Sequence, residues 1–294
     1  MSTLTAGVGR SISSPPLGTF LAGYANPFRV CKRVRDPLNV TVLVLDDGQG
    51  RVALVTADLL AVHEDIAARL RQAVADAATM NPECVLVACS HSHCAPVASV
   101  NEAANAAQHI YVDKLINWTQ EAATAAATSM HPVTLTAGRG QATIAVNRRE
   151  IKPNGKVVIG VNPDGPCDQE LIAVQLTRGD GQVLATLINY ACHPTTISPR
   201  HRFATAAWPG AMREVVEPET GAPVLFLQGA TADLNPTHPW GRGEVEAMAR
   251  LGREVGQEVL ELLPSLRPMS GAPVRVAREE VQLPLVAEMA RDGR

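Results

Sequence analysis

Two pairs of short apolar runs, each pair joined by a turn rich in Asp and Gly, constrain the fold of this chain most strongly. The first pair covers residues 40–45 and 51–57 around Asp46-Asp47-Gly48-Gln49-Gly50, and the second covers residues 171–176 and 183–190 around Arg178-Gly179-Asp180-Gly181-Gln182. β-branched runs separated in this way are typical of β-hairpins, because Gly and Asp tolerate the backbone angles of tight turns. We therefore expect a β-sheet that contains both hairpins.

Segments with helical spacing alternate with the apolar runs. The sequence predicts helices over residues 63–78, 110–130, 208–216 and 243–263, and further strands over 83–88, 133–137, 142–146, 224–227 and 274–283. In the first helix Ile66, Leu70 and Val74 lie on one face, whereas the strand candidates are short apolar runs. This order predicts an α/β fold with a mixed β-sheet core flanked by helices.

The composition suits one domain that acts on a small molecule. Of the 294 residues, 46% are hydrophobic and 19% charged, and no repeat or change in composition marks a boundary. We therefore expect a single domain over residues 1–294. The formal net charge is −3 and the chain has no basic run, so we expect no nucleic-acid partner and a small-molecule substrate. The pattern indicates no particular oligomeric state.

The sequence also predicts a cytoplasmic protein without stable membrane insertion. Residues 1–16 lack the charged start and apolar core of a secretory signal, and no apolar stretch approaches the roughly 18 residues that a membrane span needs. In a reducing compartment the six cysteines are expected to remain thiols. Cys94 and Cys192 are the two that lie beside residues able to do chemistry.

Four of the predicted strands finish at residues that can bind a metal ion or move a proton. These residues are Asp58, the pair His91 and His93, His193, and Asp233. In open α/β sheets the ligand crevice lies at the carboxyl ends of the strands. We therefore expect these strand ends to converge on one active site, although they are far apart in the sequence.

The histidines make the strongest case for a divalent metal site. In the His-Ser-His segment at 91–93 the imidazoles are two residues apart, so both face the same side of an extended backbone, and Pro96 stiffens the following loop. His193 ends a very apolar strand, and a neutral imidazole there needs a partner that a metal ion would supply. The competing interpretations are exposed histidines for the pair and a core histidine bonded to backbone for His193.

The charged residues at strand ends have functional and structural interpretations. Asp233 follows small residues at 229–232, where a substrate can approach the backbone closely, but Asp also caps turns and helices. The same alternative applies to Asp58. Arg148 and Arg149 end another predicted strand, where a guanidinium can hold a carboxylate or a developing oxyanion, or remain solvated.

Seven short motifs follow one another in a specific order. They are Leu4-Thr5-Ala6-Gly7-Val8-Gly9-Arg10, Leu21-Ala22-Gly23-Tyr24-Ala25, Ser90-His91-Ser92-His93-Cys94-Ala95-Pro96, Asn147-Arg148, Cys192-His193-Pro194, Trp208-Pro209-Gly210 and Ala232-Asp233-Leu234-Asn235-Pro236. Together they resemble the N-terminal catalytic domain of the neutral/alkaline non-lysosomal ceramidase family. The resemblance spans nearly the whole chain.

The resemblance implies a zinc amidohydrolase in which an oxygen activated by the metal attacks an amide carbonyl. It implies that His91 and His193 bind Zn²⁺ and that His93 helps to stabilise the oxyanion. Arg148 matches the family arginine that follows an asparagine, and Asp233 matches the acidic residue of the family's Gly-Asp-x-Ser-Pro motif. Zinc would lower the pKa of a bound water and polarise the carbonyl, which is why such a site needs neutral imidazoles and a nearby acid.

The chain departs from the family pattern at three positions. Asn235 stands where ceramidases carry the serine needed for amide cleavage, Arg149 stands where a serine is expected, and Ala207 stands where an aspartate is expected. Ceramide is therefore not the expected substrate. The family completes its zinc shell with a Glu and a Tyr further along, so we expect residues 1–294 to be a domain truncated at its C-terminal side.

These observations predict a zinc-dependent hydrolase that cleaves an amide, or less readily an ester, bond in a small substrate. A water activated by the metal serves as nucleophile, so no side-chain nucleophile is needed. One alternative is a catalytically inactive binding module that kept the ceramidase-like fold, because the serine is missing. Another is a cysteine hydrolase in which His93 activates the thiol of Cys94.

Overall fold

The structure, a computed structural model, describes residues 4–282 apart from 27–28, 102–103, 239, 242 and 270–272. Its strands are β1 (Thr5–Ile12), β2 (Arg33–Val34), β3 (Asn39–Asp46), β4 (Arg51–Ala57), β5 (Ala61–Val62), β6 (Val85–Cys89), β7 (Val97–Ala98), β8 (His131–Gln141), β9 (Ala145–Ile151), β10 (Val157–Asn162), β11 (Glu170–Arg178), β12 (Val183–Tyr190), β13 (Phe203–Ala204), β14 (Val224–Gln228), β15 (Leu234–Pro236) and β16 (Arg267–Pro268). Its α-helices are α1 (Glu64–Ala78), α2 (Ala106–Thr128), α3 (Ala207–Thr220) and α4 (Glu244–Leu262). Within the described residues, no helix combines the length and apolar character that a bilayer span requires.

Both predicted hairpins are confirmed, and each is extended by a parallel strand. β3 and β4 pair antiparallel, and β6 lies parallel to β4. β11 and β12 also pair antiparallel, and β14 lies parallel to β12. These strands belong to one nine-stranded mixed sheet of order β14-β12-β11-β8-β1-β3-β4-β6, to which β16 adds beside β8. The predicted α/β fold, with a mixed sheet flanked by helices, is therefore confirmed.

The nine-stranded sheet folds over between β1 and β8, which share only two residue pairs. Side chains on β3 alternate between two apolar clusters, since Val40, Val42 and Val44 pack with α1 and α2. Leu43 instead belongs to a cluster with Leu225 of β14 in the other half of the sheet. A third cluster fills the space between that second half and helices α3 and α4. The two halves of the sheet therefore face each other and carry helices on their outer sides.

Two glycines in β1 let helix α2 lie directly on the sheet. A Cβ atom at Gly7 would lie 1.9 Å from the carbonyl oxygen of Ala126, and one at Gly9 would lie 2.0 Å from that of Ala122. Any larger residue at these positions would push the helix away from the strand. Glycine also weakens the strand signal in a sequence, which is why β1 is absent from the sequence prediction.

Most predicted elements are formed with small changes at their ends, and one prediction is wrong. α2 begins at Ala106 instead of residue 110, because the side chain of Asn105 accepts the N–H of Gln108 and caps the helix. The strand predicted over 274–283 is not formed in residues 274–282, and residue 283 lies outside the described range. Residues 275–282 are exposed, so a strand there would bury no apolar face. The Val274 N–H instead donates to Asp47 Oδ2 at 2.8 Å.

Candidate metal centre

Three histidines from two strand ends meet at one point of the fold. His91 and His93 follow β6, and His193 follows β12. The ring centroid of His91 lies 5.1 Å from that of His93 and 5.0 Å from that of His193. The centroids of His93 and His193 are 5.5 Å apart. One ring nitrogen of each residue lies within 4.8 Å of the others. The structure thus brings His91 and His193 together and places His93 in the same cluster.

Backbone carbonyls fix the tautomer of two of these rings. Nδ1 of His91 lies 2.8 Å from the carbonyl oxygen of Leu60, and Nδ1 of His193 lies 2.9 Å from that of Leu234. Because a carbonyl oxygen only accepts hydrogen bonds, Nδ1 carries the proton in both rings and Nε2 presents a lone pair. Histidines commonly bind a metal ion through Nε2 when Nδ1 is held in this way.

The ring of His93 is enclosed without being hydrogen-bonded. Both of its nitrogens are buried and have no hydrogen-bond partner among the described residues. Tyr24 packs its ring edgewise at 5.0 Å, and Gly23 lies so close that a Cβ atom there would be 2.6 Å from His93 Nδ1. Leaving a buried polar atom unpaired costs roughly 1–3 kcal/mol. His93 therefore fits a site in which a metal ion or a substrate supplies the missing bond.

Burial keeps two of the histidines in the neutral form that metal binding requires. Burial, with smaller contributions from His91 and His193, lowers the pKa of His93 from 6.5 to about 3. Burial also lowers the pKa of His193 from 6.5 to about 4, although the hydrogen bond to the Leu234 carbonyl opposes this shift. At neutral pH both imidazoles are uncharged, so their lone pairs are available to a cation.

The donor set fits a transition-metal ion. Zinc binds histidine nitrogen at about 2.0–2.1 Å, which places the nitrogens of a tetrahedral site about 3.3 Å apart. The three nitrogens here lie within 4.8 Å of one another. Ring movements of about 1 Å therefore bring them into one coordination sphere. Imidazole ligands suit zinc, copper, iron or nickel, whereas magnesium and calcium prefer oxygen ligands.

Arg29, which the sequence prediction missed, holds the loop that carries His93. This side chain is only 1% exposed. Its Nη1 donates to the carbonyl oxygens of His93 at 2.7 Å and Ala22 at 3.2 Å, and its Nε donates to that of His201 at 2.9 Å. It therefore ties the N-terminal loop to the loops that follow β6 and β12. An arginine among ordinary loop residues gives no signal of this role in a sequence.

Arg148 lies on β9 of the small sheet of order β10-β9-β15, and Asp233 directly precedes β15. The Arg148 N–H donates to the Asp233 carbonyl oxygen at 2.7 Å, and Asp233 Oδ2 accepts from Asn147 Nδ2 at 3.2 Å. Burial and the charge of Arg149 lower the pKa of Arg148, while Asp233 opposes that change. The positive charge of Arg148 also helps to lower the pKa values of His93 and His193. Arg148 is thus close enough to act electrostatically on the histidines, Asp233 directly precedes Leu234, whose carbonyl oxygen holds His193 Nδ1, and Arg149 is exposed.

Asp58 lies elsewhere, contrary to the expectation that it shares the site. Its buried carboxylate accepts from Arg213 of α3 at 3.0 and 2.5 Å and from the N–H of Asn39 at 2.9 Å. Among the described residues, the cluster of possible metal ligands does not include it. Asp58 therefore forms an internal ion pair that joins the end of β4 to α3, and it is neither a site residue nor the cap of the next helix, since His63 is the N-cap of α1.

The environment of Cys94 argues against a cysteine hydrolase. Cys94 is fully buried, and its Sγ accepts a hydrogen bond from Arg29 Nη2 at 3.0 Å. Burial raises the pKa of this thiol to about 11, although the guanidinium of Arg29 opposes the shift. A neutral thiol without access to solvent is a poor nucleophile.

A cavity of about 280 Å³ is lined partly by residues that follow His193 and Leu234 closely in the chain. Its lining includes Thr195, Asn235 and Trp240, together with Ile159 and Val161 of β10. The Thr195 hydroxyl donates to Asn235 Oδ1 at 3.4 Å, and the Thr195 carbonyl accepts from Trp240 Nε1 at 2.6 Å. Trp240 contacts Tyr24 edgewise, and Tyr24 contacts His93. The cavity therefore offers amide and hydroxyl groups beside apolar side chains, and ring contacts through Tyr24 connect its Trp240 to His93.

Comparison with solved structures identifies the fold. The chain is similar to the neutral ceramidase of Pseudomonas aeruginosa, with a TM-score of 0.75 and 14% identity over 90% of this chain and 45% of that chain. It is also similar to a ceramidase complexed with C2, with a TM-score of 0.73 and 15% identity over 90% of this chain and 44% of that chain. No family model and no curated protein matches the chain. The chain therefore has a ceramidase-like fold and spans less than half the length of these structures.

Proposed function

We propose that this chain carries a zinc-dependent hydrolase site that cleaves an amide, or less readily an ester, bond in a small substrate other than ceramide. The observation that carries the proposal is the cluster of His91, His93 and His193, whose nitrogens lie within 4.8 Å of one another. In His91 and His193, Nδ1 donates to a backbone carbonyl oxygen, so Nε2 is available to bind a metal ion. The fold, which is that of ceramidases, supports the same activity class.

The residues around the cluster have separate roles in this proposal. His91 and His193 would hold a divalent ion, which when bound would polarise the carbonyl as a Lewis acid and activate a water molecule. His93 is neutral and donates an N–H to the oxygen of the tetrahedral intermediate, and the guanidinium of Arg148 stabilises the same negative charge. Asp233 accepts the proton of the attacking water through Oδ1, since Asn147 holds its Oδ2, and passes it to the leaving amine.

The size of the cavity lined by Thr195 and Asn235 supports a small substrate. Its volume of about 280 Å³ lies just below the roughly 300–1,000 Å³ typical of ligand-binding pockets, so a large substrate would not fit. Asn235, at the position of the family serine, lines this cavity and is hydrogen-bonded to Thr195. An amide side chain there cannot supply the serine chemistry of ceramide cleavage, but it can hydrogen-bond a polar substrate.

Asn235 also favours one second candidate, a binding module that has lost catalysis. Metal analysis of the purified protein, combined with amidase and esterase assays before and after chelation, separates the two. The hydrolase predicts stoichiometric zinc and activity that chelation removes and zinc restores, and the binding module predicts no turnover in either state. Asp233→Asn should lower kcat by roughly 10²–10⁴-fold without removing zinc.

Substitution of single histidines assigns the ligands. His193→Ala should remove the bound zinc, whereas His93→Ala should retain it and lose activity. His63→Ala is the matched control, because His63 is 69% exposed and its Nδ1 pairs with Asp65 at 2.6 Å. Unchanged zinc stoichiometry in His193→Ala would contradict the assignment, and loss of zinc from His93→Ala would make His93 a ligand.

A further inference from the structure

Gln228, the last residue of β14, connects the two chain segments that carry the histidines. Its Nε2 donates to the carbonyl oxygen of Ser90 at 3.2 Å and to that of Cys192 at 3.0 Å. Its Oε1 accepts the Cys192 N–H at 3.4 Å. Ser90 and Cys192 directly precede His91 and His193. One side-chain amide therefore contacts the backbone next to each of the two proposed zinc ligands.

Besides Gln228, Arg29 joins the loops of the two histidine segments, through the carbonyl oxygens of His93 and His201. β6 and β12 lie in opposite halves of the folded sheet and are not paired with each other. Among the described residues, one direct backbone hydrogen bond joins the segments, from the His93 N–H to the Pro194 carbonyl oxygen, and at 3.5 Å it is long. The amide of Gln228 uses both of its donors and its acceptor here, and no other uncharged side chain of this length offers that combination.

We propose that Gln228 is a positioning residue whose amide sets the separation of His91 and His193. This inference rests on the proposed metal site and goes beyond it, because Gln228 need not contact the metal or the substrate. Loss of the amide leaves two carbonyl groups without this donor, leaves the Cys192 N–H without its acceptor, and removes the side-chain bridge next to the two histidines. Partners that orient metal ligands typically change metal affinity by about 10–100-fold when they are removed.

Gln228→Leu tests the proposal, and Asn189→Leu is its matched control. The Asn189 side chain of β12 donates to the Leu227 carbonyl oxygen of β14 at 3.0 Å, so it joins the same part of the sheet but does not bond the His91 segment. We expect Gln228→Leu to weaken zinc binding by at least about tenfold and Asn189→Leu to leave it unchanged within a factor of about two, measured by competition with a chromophoric chelator. If Gln228→Leu does not fold, Gln228→Met, which keeps a flexible side chain of similar length, takes its place.

A second measurement on the metal-free protein separates failure of this inference from failure of the proposed function. The Cε1–Hε1 NMR signals of His91 and His193 should shift in the Gln228 variant and stay in place in the Asn189 variant. If wild-type protein binds no zinc but the signals shift, the proposed function fails and the positioning role stands. Wild-type zinc affinity together with unshifted signals in the Gln228 variant would overturn the inference, and so would equal effects of the two substitutions.

Discussion

Replacing Gly23 with Ala tests whether the N-terminal loop holds His93 in place. Gly23 has a φ of +95°, where an L side chain is strained by roughly 1–3 kcal/mol. The new Cβ atom would also lie 2.6 Å from Cγ and from Nδ1 of His93. Atoms cannot remain that close, so the ring or the loop must move, which adds roughly 1–3 kcal/mol of overpacking. We expect the free energy of unfolding to fall by roughly 2–6 kcal/mol and zinc affinity to fall with it.

Gly18→Ala separates the two contributions. Gly18 has a similar φ of +91°, but the nearest atom to its new Cβ would be the Cβ of Ala107 at 3.6 Å, an ordinary contact. This control therefore carries only the backbone strain of roughly 1–3 kcal/mol. Urea unfolding of the metal-free proteins and zinc competition titrations compare the variants directly. The reasoning fails if both variants lose the same stability and bind zinc as the wild type does.

Three further predictions address protonation, the internal ion pair and the buried thiol. Burial lowers the pKa of His93 to about 3 and that of His193 to about 4, so the unfolded chain, whose histidines titrate near about 6.5, takes up protons that the folded chain does not. The free energy of unfolding of the metal-free protein should therefore fall as the pH drops from about 6.5 to 4. If His93→Asn leaves the slope of the unfolding free energy against pH unchanged, His93 does not cause this dependence. Arg213→Met leaves the buried carboxylate of Asp58 unpaired and should cost roughly 3–5 kcal/mol in urea unfolding, most of which Asp58→Asn should restore in the double variant. Iodoacetamide should leave Cys94 unmodified in the native protein by mass spectrometry, because the thiol is buried and its pKa is about 11, so rapid labelling would contradict the structure.

Local sequence patterns predict the hairpins, the helices and the strand ends, but not the way the sheet folds over. Alternation on β3 shows that both faces are apolar, and the structure explains this because one face meets helices and the other meets the second half of the sheet. That second contact depends on residues distant in the chain, such as Leu43 and Leu225. β1, which joins the halves, is obscured in the sequence by Gly7 and Gly9, whose function is close contact with α2.

The sequence identifies candidate site residues that directly follow a strand. It does not show which of those residues instead pair with a distant part of the chain. His91 and His193 stand out because each is a titratable residue directly after an apolar run. Asp58 satisfies the same pattern, yet its carboxylate pairs with Arg213, a partner on a distant helix that no local pattern announces. Gln228 is not predictable from the sequence, because a neutral amide at the end of a strand is common. Only the folded chain shows that this amide bonds the backbone of Ser90 and Cys192.

A metal ion bound by both His91 and His193 would connect the two halves of the sheet, since each half provides one of these strand ends. A ligand that binds only the folded state stabilises it by about 2.7 kcal/mol at a hundredfold excess over Kd. Because the metal would join the two halves, amide hydrogen exchange in β6 and in β12, the strands that precede His91 and His193, should slow together when zinc is added. A metal held by His91 and His93 alone would contact only the loop after β6. Protection from hydrogen exchange would then be confined to the half of the sheet that contains β6. Such confinement would show that His193 is not a ligand.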